Sequence, residues 1–511
     1  MTSAETAYLF RHALLRDAAY QLQLPGDRAR LHGLAFEAIE ALAGGRPPEP
    51  APLDAADAPP FRPHAADAFA LELARHSRCA VPDDRPVPGA LLLYLRRAAE
   101  FAQSQFQMEA AQGPWLQLSA LTGGATRAVA LWRAGIAASL RGRSREAEGL
   151  LREATALFET AGAQRLKAGA LDDLARVERE SGRVAQAERT HERVLDIRRQ
   201  VGDRRGEGKS LGNLAVVYGE TGRVELAERT MEQALAIHRE VRDRRGEGVA
   251  LGNLANVLRE SGRVERAERA FQESLAIHRE CHNRLGEGLA LGNLGLLYFE
   301  TGRTEQAKQT YEQSLSIRRE IGERRGEGIT LGNLAGLYRA TGRIAQAERT
   351  YEEALAIRRE TLDRRGEGVT LGNLADLYMT NGDPDQAERT YKQALSIHLE
   401  VRNRLYEGIS LGGLATLYRK TSRFRLARTT FERALKIHAR MGNRRFEGAH
   451  RCEYALCLLA LHRWREGARA WRQGMADIRS VHDDKEAERQ RLAMRRACAK
   501  AGVAPFEGGS P

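Results

Sequence analysis

Leu211, Leu214, Ala215 and Tyr218 stand at i, i+3, i+4 and i+7, the spacing of one stripe on an amphipathic helix. The stripe stops at Thr221-Gly222-Arg223. A second apolar set, Ala227, Met231, Ala234, Leu235 and Val241, predicts a second helix that ends at Asp243. The pattern then restarts, and its anchor leucines Leu211, Leu251, Leu291, Leu331 and Leu371 fall 40 residues apart. A fixed period in the range of roughly 20–50 residues marks an array of units that cannot bury their apolar faces alone. Val217, Val257, Leu297, Leu337, Leu377 and Leu417 lie outside the main stripe, so each first helix needs a second apolar neighbour, which the adjoining unit supplies.

The helix ends carry their own signals. Asp203, Asp243, Asn283, Asp363, Asn403 and Asn443 have side chains able to cap the first helix of each unit, and Glu323 departs from that set. Gly182, Gly222, Gly262, Gly302, Gly342 and Gly382 recur just past its end, where a left-handed residue is expected. Gly206-Glu207-Gly208 and its copies are expected to form a turn that opens each unit. Glu207 and Glu228 and their equivalents are taken for helix-surface charges.

The order Leu211, Leu214, Ala215, Tyr218, Gly222, Ala227, Met231, Ala234 resembles the tetratricopeptide repeat, with Leu211 where that family usually has Trp. The family's common length is about 34 residues, and the extra residues here are assigned to longer helices and to the Asp-Arg-Arg-Gly-Glu-Gly connection. The long form with Leu-Gly-Asn-Leu is similar to that of Pins-type spindle-orientation adaptors, kinesin light chains and many bacterial regulators. This resemblance implies an all-α fold, a right-handed superhelical solenoid of antiparallel helix hairpins, and the role of an adaptor. The expected organisation is a helical segment over residues 1–43, a disordered Pro-rich linker over 44–63 and degenerate hairpins over 64–125. The solenoid of about nine units follows over 126–485, strongest over 206–405, then a basic helix over 486–501 and a disordered tail over 502–511. Tyr8 to Tyr20 and Arg30-Leu31-His32 look like the helical region that follows the nucleotide-binding core of bacterial signal-transduction ATPases. That resemblance implies the sensor portion of such a regulator, encoded separately or truncated.

Composition narrows the function classes. The 511 residues hold 80 Lys plus Arg against 68 Asp plus Glu, a net charge of +12, with aromatics at 6%, so a basic but charge-mixed surface is expected. No apolar run reaches the roughly 18 residues of a membrane helix, and the first residues lack the basic and apolar regions of a secretory signal. A cytoplasmic protein that does not engage membranes is expected. Cys79, Cys281, Cys452, Cys457 and Cys498 show no regular spacing and read as reduced thiols, with Cys452 and Cys457 as buried small side chains. There is no Gly-x-x-x-x-Gly-Lys-Ser/Thr phosphate loop and no convergent nucleophile, base or metal cluster, so neither an enzymatic activity nor a cofactor or metal is expected. His238, His278, His398 and His438 share one position with Arg318 and Arg358. Arg is no metal ligand, so these histidines are assigned to the surface.

The copies differ where a partner is expected to be read. The face of the first helix opposite the Leu stripe carries Asn213, Asn253, Asn293, Asn333 and Asn373, one per unit. By the resemblance this face lines a concave groove, where the amides would clamp the backbone of an extended peptide; hydrogen bonding between adjacent units is the alternative. Beside them the chain varies: Val216, Asn256, Leu296, Gly336, Asp376 and Thr416 at one position, and Gly219, Arg259, Phe299, Arg339, Met379 and Arg419 at another. These are expected to select the partner. Gly212, Gly252, Gly292, Gly332, Gly372 and Gly412 weaken the helix and so allow the close approach of a neighbouring helix or of a ligand main chain. The expected function is a non-catalytic scaffold in bacterial signalling or regulation that binds a protein or peptide in this groove. The alternatives are the detached sensor part of a signal-transduction ATPase or kinase, and a basic helical-repeat nucleic-acid binder. Nucleic acid is the less favoured partner because the Arg-Arg pairs sit beside acidic residues, and the oligomeric state is left open.

Overall fold

A computed structural model of the chain describes residues 24–55, 61–81, 88–481, 483–504 and 506. The Tyr8 to Tyr20 segment lies outside them. The chain divides into two compact units, Met1–Ala270 and Phe271–Pro511. In the first, the described helices are α1 (Pro25–Leu42), α2 (Ala70–Cys79), α3 (Gly89–Ser104), α4 (Met108–Leu121), α5 (Gly124–Leu140), α6 (Ser144–Thr160), α7 (Gln164–Glu180), α8 (Val184–Gln200), α9 (Arg204–Glu220), α10 (Val224–Glu240), α11 (Arg244–Glu260) and α12 (Val264–Glu280), the last of which crosses the boundary. The second continues with α13 (Arg284–Glu300), α14 (Thr304–Glu320), α15 (Arg324–Ala340), α16 (Ile344–Glu360), α17 (Arg364–Asn381), α18 (Pro384–Glu400), α19 (Arg404–Lys420), α20 (Phe424–Met441), α21 (Arg444–Ala460), α22 (Trp464–Ser480) and α23 (Asp484–Ala501). The fold is all-α, and short connections join antiparallel neighbours.

Packing follows the sequence stripe. In α9 and α10, Leu211, Leu214, Ala215, Ala227, Met231 and Ala234 are all buried. In the second unit a single apolar cluster runs from Ala335 to Cys457, with Tyr351, Leu374, Tyr391, Leu414 and Phe431 in it, so each hairpin completes its core on the next. A fully buried Leu contributes roughly 1.5–3 kcal/mol, and these terms accumulate along the array.

The helix ends behave as their chemistry dictates. Asp203 accepts from the Gly206 N–H at 2.9 Å and Asn283 from Gly286 at 3.2 Å. Glu323, the departure from the set, caps as well, accepting from Gly326 at 2.8 Å with its longer arm. Gly182, Gly222, Gly262, Gly302, Gly342 and Gly382 have φ between +74° and +80°. On one edge, the arginine three residues past the first helix, in Thr221-Gly222-Arg223 and Thr421-Ser422-Arg423, ties two hairpins together. Arg223 lies 4.5 Å over the Tyr218 ring and forms two bonds, of 2.8 and 2.6 Å, to Glu188; Arg423 repeats this with Tyr418 and Glu388.

Three expectations change. Gly-Glu-Gly is the first turn of the helix rather than a turn before it, because the capped helix begins at Arg204. Its glycines serve close approach: a Cβ at Gly246 would stand 2.4 Å from His238 Nδ1, and one at Gly208 3.1 Å from His238 Nε2. For the same reason His238, His278, His398 and His438 are buried and not on the surface; they tuck under the bare first turn of a helix. Arg318 and Arg358 fill the same slot and pair there with Glu323 and Asp363. Glu207 and its copies Glu247, Glu287, Glu327 and Glu367 are also buried, not surface charges. Each is gripped by two arginines, as Glu207 is by Arg199 at 2.9 Å and Arg204 at 2.7 Å. Burial alone would raise the Glu207 carboxyl, but its bonds to Arg199 and Arg204 outweigh this and hold it below the usual carboxylate range.

Candidate partner-binding face

On the first helix of each repeat, positions 209, 213, 216 and 220 fall at i, i+4, i+7 and i+11 and so share a face. The Leu stripe buries the opposite side, which leaves this face to the outside of the core. Asn213, Asn253, Asn293, Asn333 and Asn373 are half-buried on it. In the first unit Asn213 donates to Asp172 at 3.4 Å, a bond to the preceding repeat. Asn253 in the first unit, and Asn293, Asn333 and Asn373 in the second, have no hydrogen-bond partner among the described residues. Exposed but shielded amides with open donors and acceptors are equipped to bond a main chain.

The variable positions are half-buried too. Val216 and Leu296 present aliphatic groups, and Asn256 bonds back to the Gly252 carbonyl at 3.2 Å. Arg259 reaches Glu260 at 3.1 Å, and Arg419 is held by Glu453 at 2.6 Å. Phe299 leaves part of its ring exposed, and Met379 packs on the edge of the second unit's core. Asp376 accepts a hydrogen bond from the Tyr391 hydroxyl. In the second unit Arg339, Asp376 and Met379 come together, with Thr416, Lys420, Phe446 and Glu453, around a cleft of about 500 Å³. The two threonines of this cleft, Thr380 and Thr416, bond their own helix backbones at Asp376 and Gly412.

One component of the face is missing from the sequence reading. Val249, Leu289 and Ile329 are exposed at 49%, 48% and 44%, and Val369 and Ile409 follow at the same position half-buried. The signal was present as an aliphatic residue in five successive copies of a position on a solvated face, masked by Lys209 in the copy before them. The glycines resolve differently. A Cβ at Gly292 or Gly372 would meet nothing nearer than Ser314 or Ser410 Oγ at 3.5 Å, so the space there admits a methyl.

The repeated arginines are largely committed. Arg204, Arg284, Arg324 and Arg364 each bridge a buried glutamate and a second glutamate, at Glu240, Glu320, Glu360 and Glu400 respectively. Among the described residues no His, Cys, Asp and Glu side chains cluster to hold a metal ion, and no helix is long and apolar enough to cross a membrane. All five cysteines are free, with Cys452 and Cys457 buried.

Hairpins of this kind match a known signature, tetratricopeptide repeat, over residues 166–240, 246–320, 309–360, 326–400 and 366–440, together more than half of the chain. The chain belongs to the tetratricopeptide repeat family. No curated protein matches it. Among solved structures, this tetratricopeptide repeat protein is similar to a Rap protein complexed with Competence and Sporulation Factor, at 14% identity and a TM-score of 0.50, over 73% of this chain and 99% of that one. It is also similar to BtubC from P. vanneervenii, at 22% identity and a TM-score of 0.35, over 43% and 91% of the two chains. A third is a signal transduction ATPase with numerous domains and a tetratricopeptide repeat sensor, from Pyrococcus horikoshii, at 14% identity and a TM-score of 0.49, over 94% and 67%. At such identities the likeness is one of fold.

Proposed function

We propose that this tetratricopeptide repeat protein is a non-catalytic scaffold that holds an extended or helical segment of a protein partner against the first-helix face of its repeats. The observation that carries the reading is the set of unpaired, half-buried amides at Asn253 in the first unit and at Asn293, Asn333 and Asn373 in the second. These amides are open to solvent, and a bound main chain would take the place of water on their donors and acceptors at a net gain of about 0.5–1.5 kcal/mol per bond. The exposed aliphatic position beside the amides adds apolar area, and the variable positions add selectivity. A Rap protein of this fold is complexed with Competence and Sporulation Factor, and for this chain the capture of an extended segment is the reading that fits the open amides. The committed arginines weigh against a nucleic-acid groove, which needs cations free to replace phosphate counterions. The resemblance of Tyr8 to Tyr20 and Arg30-Leu31-His32 to the region after a nucleotide-binding core supports a regulatory role in bacterial signalling, in the cytoplasm.

The test is site-specific crosslinking in the source organism. A photoreactive residue replacing Asn333 is expected to yield discrete protein adducts, whereas one replacing Glu352, exposed on a second helix, yields none above background. Equal adducts from both positions would contradict the assignment of the face.

A further inference from the structure

Within the second unit, two departures from the repeat meet at one point. Asp376 stands where other copies carry Val216, Asn256, Leu296, Gly336 or Thr416, and Gly413 stands where the ladder otherwise has Asn. A Cβ at Gly413 would lie 2.6 Å from the Tyr391 hydroxyl oxygen, so the missing ladder amide leaves the room through which Tyr391 reaches Asp376 Oδ1. The other carboxylate oxygen, Oδ2, has no hydrogen-bond partner among the described residues, and Asp376 lines the cleft of about 500 Å³.

The remaining acids of that cleft are matched: Glu453 pairs with Arg419, Asp483 with Arg445 and Glu486 with Arg489. Two cations remain. Lys420 has no ion-pair partner among the described residues, and Arg339 stands beside Tyr351 with its Nε unbonded. Among the described residues, Asp376, Lys420 and Arg339 therefore line the cleft without a contact ion pair and act on one another only across it, the two cations opposing the rise that burial gives the Asp376 carboxyl. A lone basic group entering it would meet Lys420 and Arg339, and a lone acidic group would meet Asp376. Resting on the reading of this face as a partner groove, we propose that the cleft takes a pair of neighbouring opposite charges on the partner segment, the basic side chain on Asp376 and the acidic one on Lys420 and Arg339. Isolated charges of one sign are rejected by the same groups, which makes this cleft a selectivity filter within the groove.

The experiment uses the full chain and four fluorescent peptides of one length and one neutral flanking sequence, whose central pair is Lys-Glu, Lys-Gln, Gln-Glu or Gln-Gln, with binding followed by anisotropy. The Lys-Glu peptide is expected to bind more than about tenfold more tightly than Gln-Gln, the gain of two charge-assisted contacts, and Lys-Gln and Gln-Glu no more tightly than Gln-Gln. Asp376→Asn, which keeps an acceptor for Tyr391, is expected to abolish the preference for Lys, and Lys420→Met the preference for Glu. Four peptides that bind alike would overturn the charge-pair assignment and leave the groove standing. Peptides that all fail to bind would overturn the groove itself, and with it this proposal.

Discussion

The imidazole of His450 lies where a side chain at Gly412 would begin: a Cβ built there would stand 1.9 Å from His450 Cε1. At Gly372, one repeat earlier, the same Cβ would meet nothing nearer than Ser410 Oγ at 3.5 Å. Glycine inside a helix is disfavoured by about 0.8–1.0 kcal/mol relative to alanine. Gly372→Ala is therefore expected to stabilise the second unit by up to about 1 kcal/mol, whereas Gly412→Ala, which must displace His450 and the bond it shares with His438, is expected to destabilise it. Thermal denaturation followed by circular dichroism distinguishes the two signs.

The buried histidines make stability depend on pH. Burial lowers His398 and His438 from 6.5 to about 4, and His398 is lowered further by the neighbouring Arg365. Between these values the unfolded chain binds more protons than the folded one, so stability is full above 6.5 and falls as the pH drops towards 4. The expected loss is on the order of 2 kcal/mol per histidine. Urea midpoints taken from pH 7.5 to 4.5 check it. His398→Gln should flatten the slope.

Glu327 is buried at 2% exposure and is gripped by Arg319 at 2.7 Å and by Arg324. Glu327→Gln removes the charge and one of the two acceptor oxygens while keeping the volume. The arginines are half in water and recover solvation when released, so the expected cost is about 1–3 kcal/mol rather than that of a fully buried pair. Chemical denaturation of the variant measures it, and a neutral result would mean that the repeated Arg–Glu–Arg clamps do not hold adjacent hairpins together.

The hairpins could be read from the chain because one stripe of leucines and alanines recurs without drift, and the glycines past each first helix have one physical use. Gly206-Glu207-Gly208 was harder, since two glycines around a charge suggest a loop. Their purpose is set by side chains on other helices that no local pattern reveals: Arg198, whose Nη1 donates to the Gly206 carbonyl at 2.6 Å, and His238 beside Gly208. The burial of the histidines is hidden for a related reason: Arg in the same slot suggests solvent, whereas Arg318 and Arg358 are buried with their own carboxylates. Of the candidate face, the asparagines and the variable positions were legible by comparing the copies. The role of Gly413 was not, because it depends on the Tyr391 hydroxyl reaching Asp376 from the second helix of the hairpin.

The most direct measurement is the affinity of the second unit's face for the partner segment captured at Asn333, compared between the native chain and a triple variant with Asn293, Asn333 and Asn373 changed to alanine. Each amide bond to a ligand main chain contributes about 0.5–1.5 kcal/mol net. The three together should weaken binding by roughly tenfold or more, with the circular dichroism and melting temperature unchanged. Native affinity in a folded triple variant would contradict the role assigned to the amides.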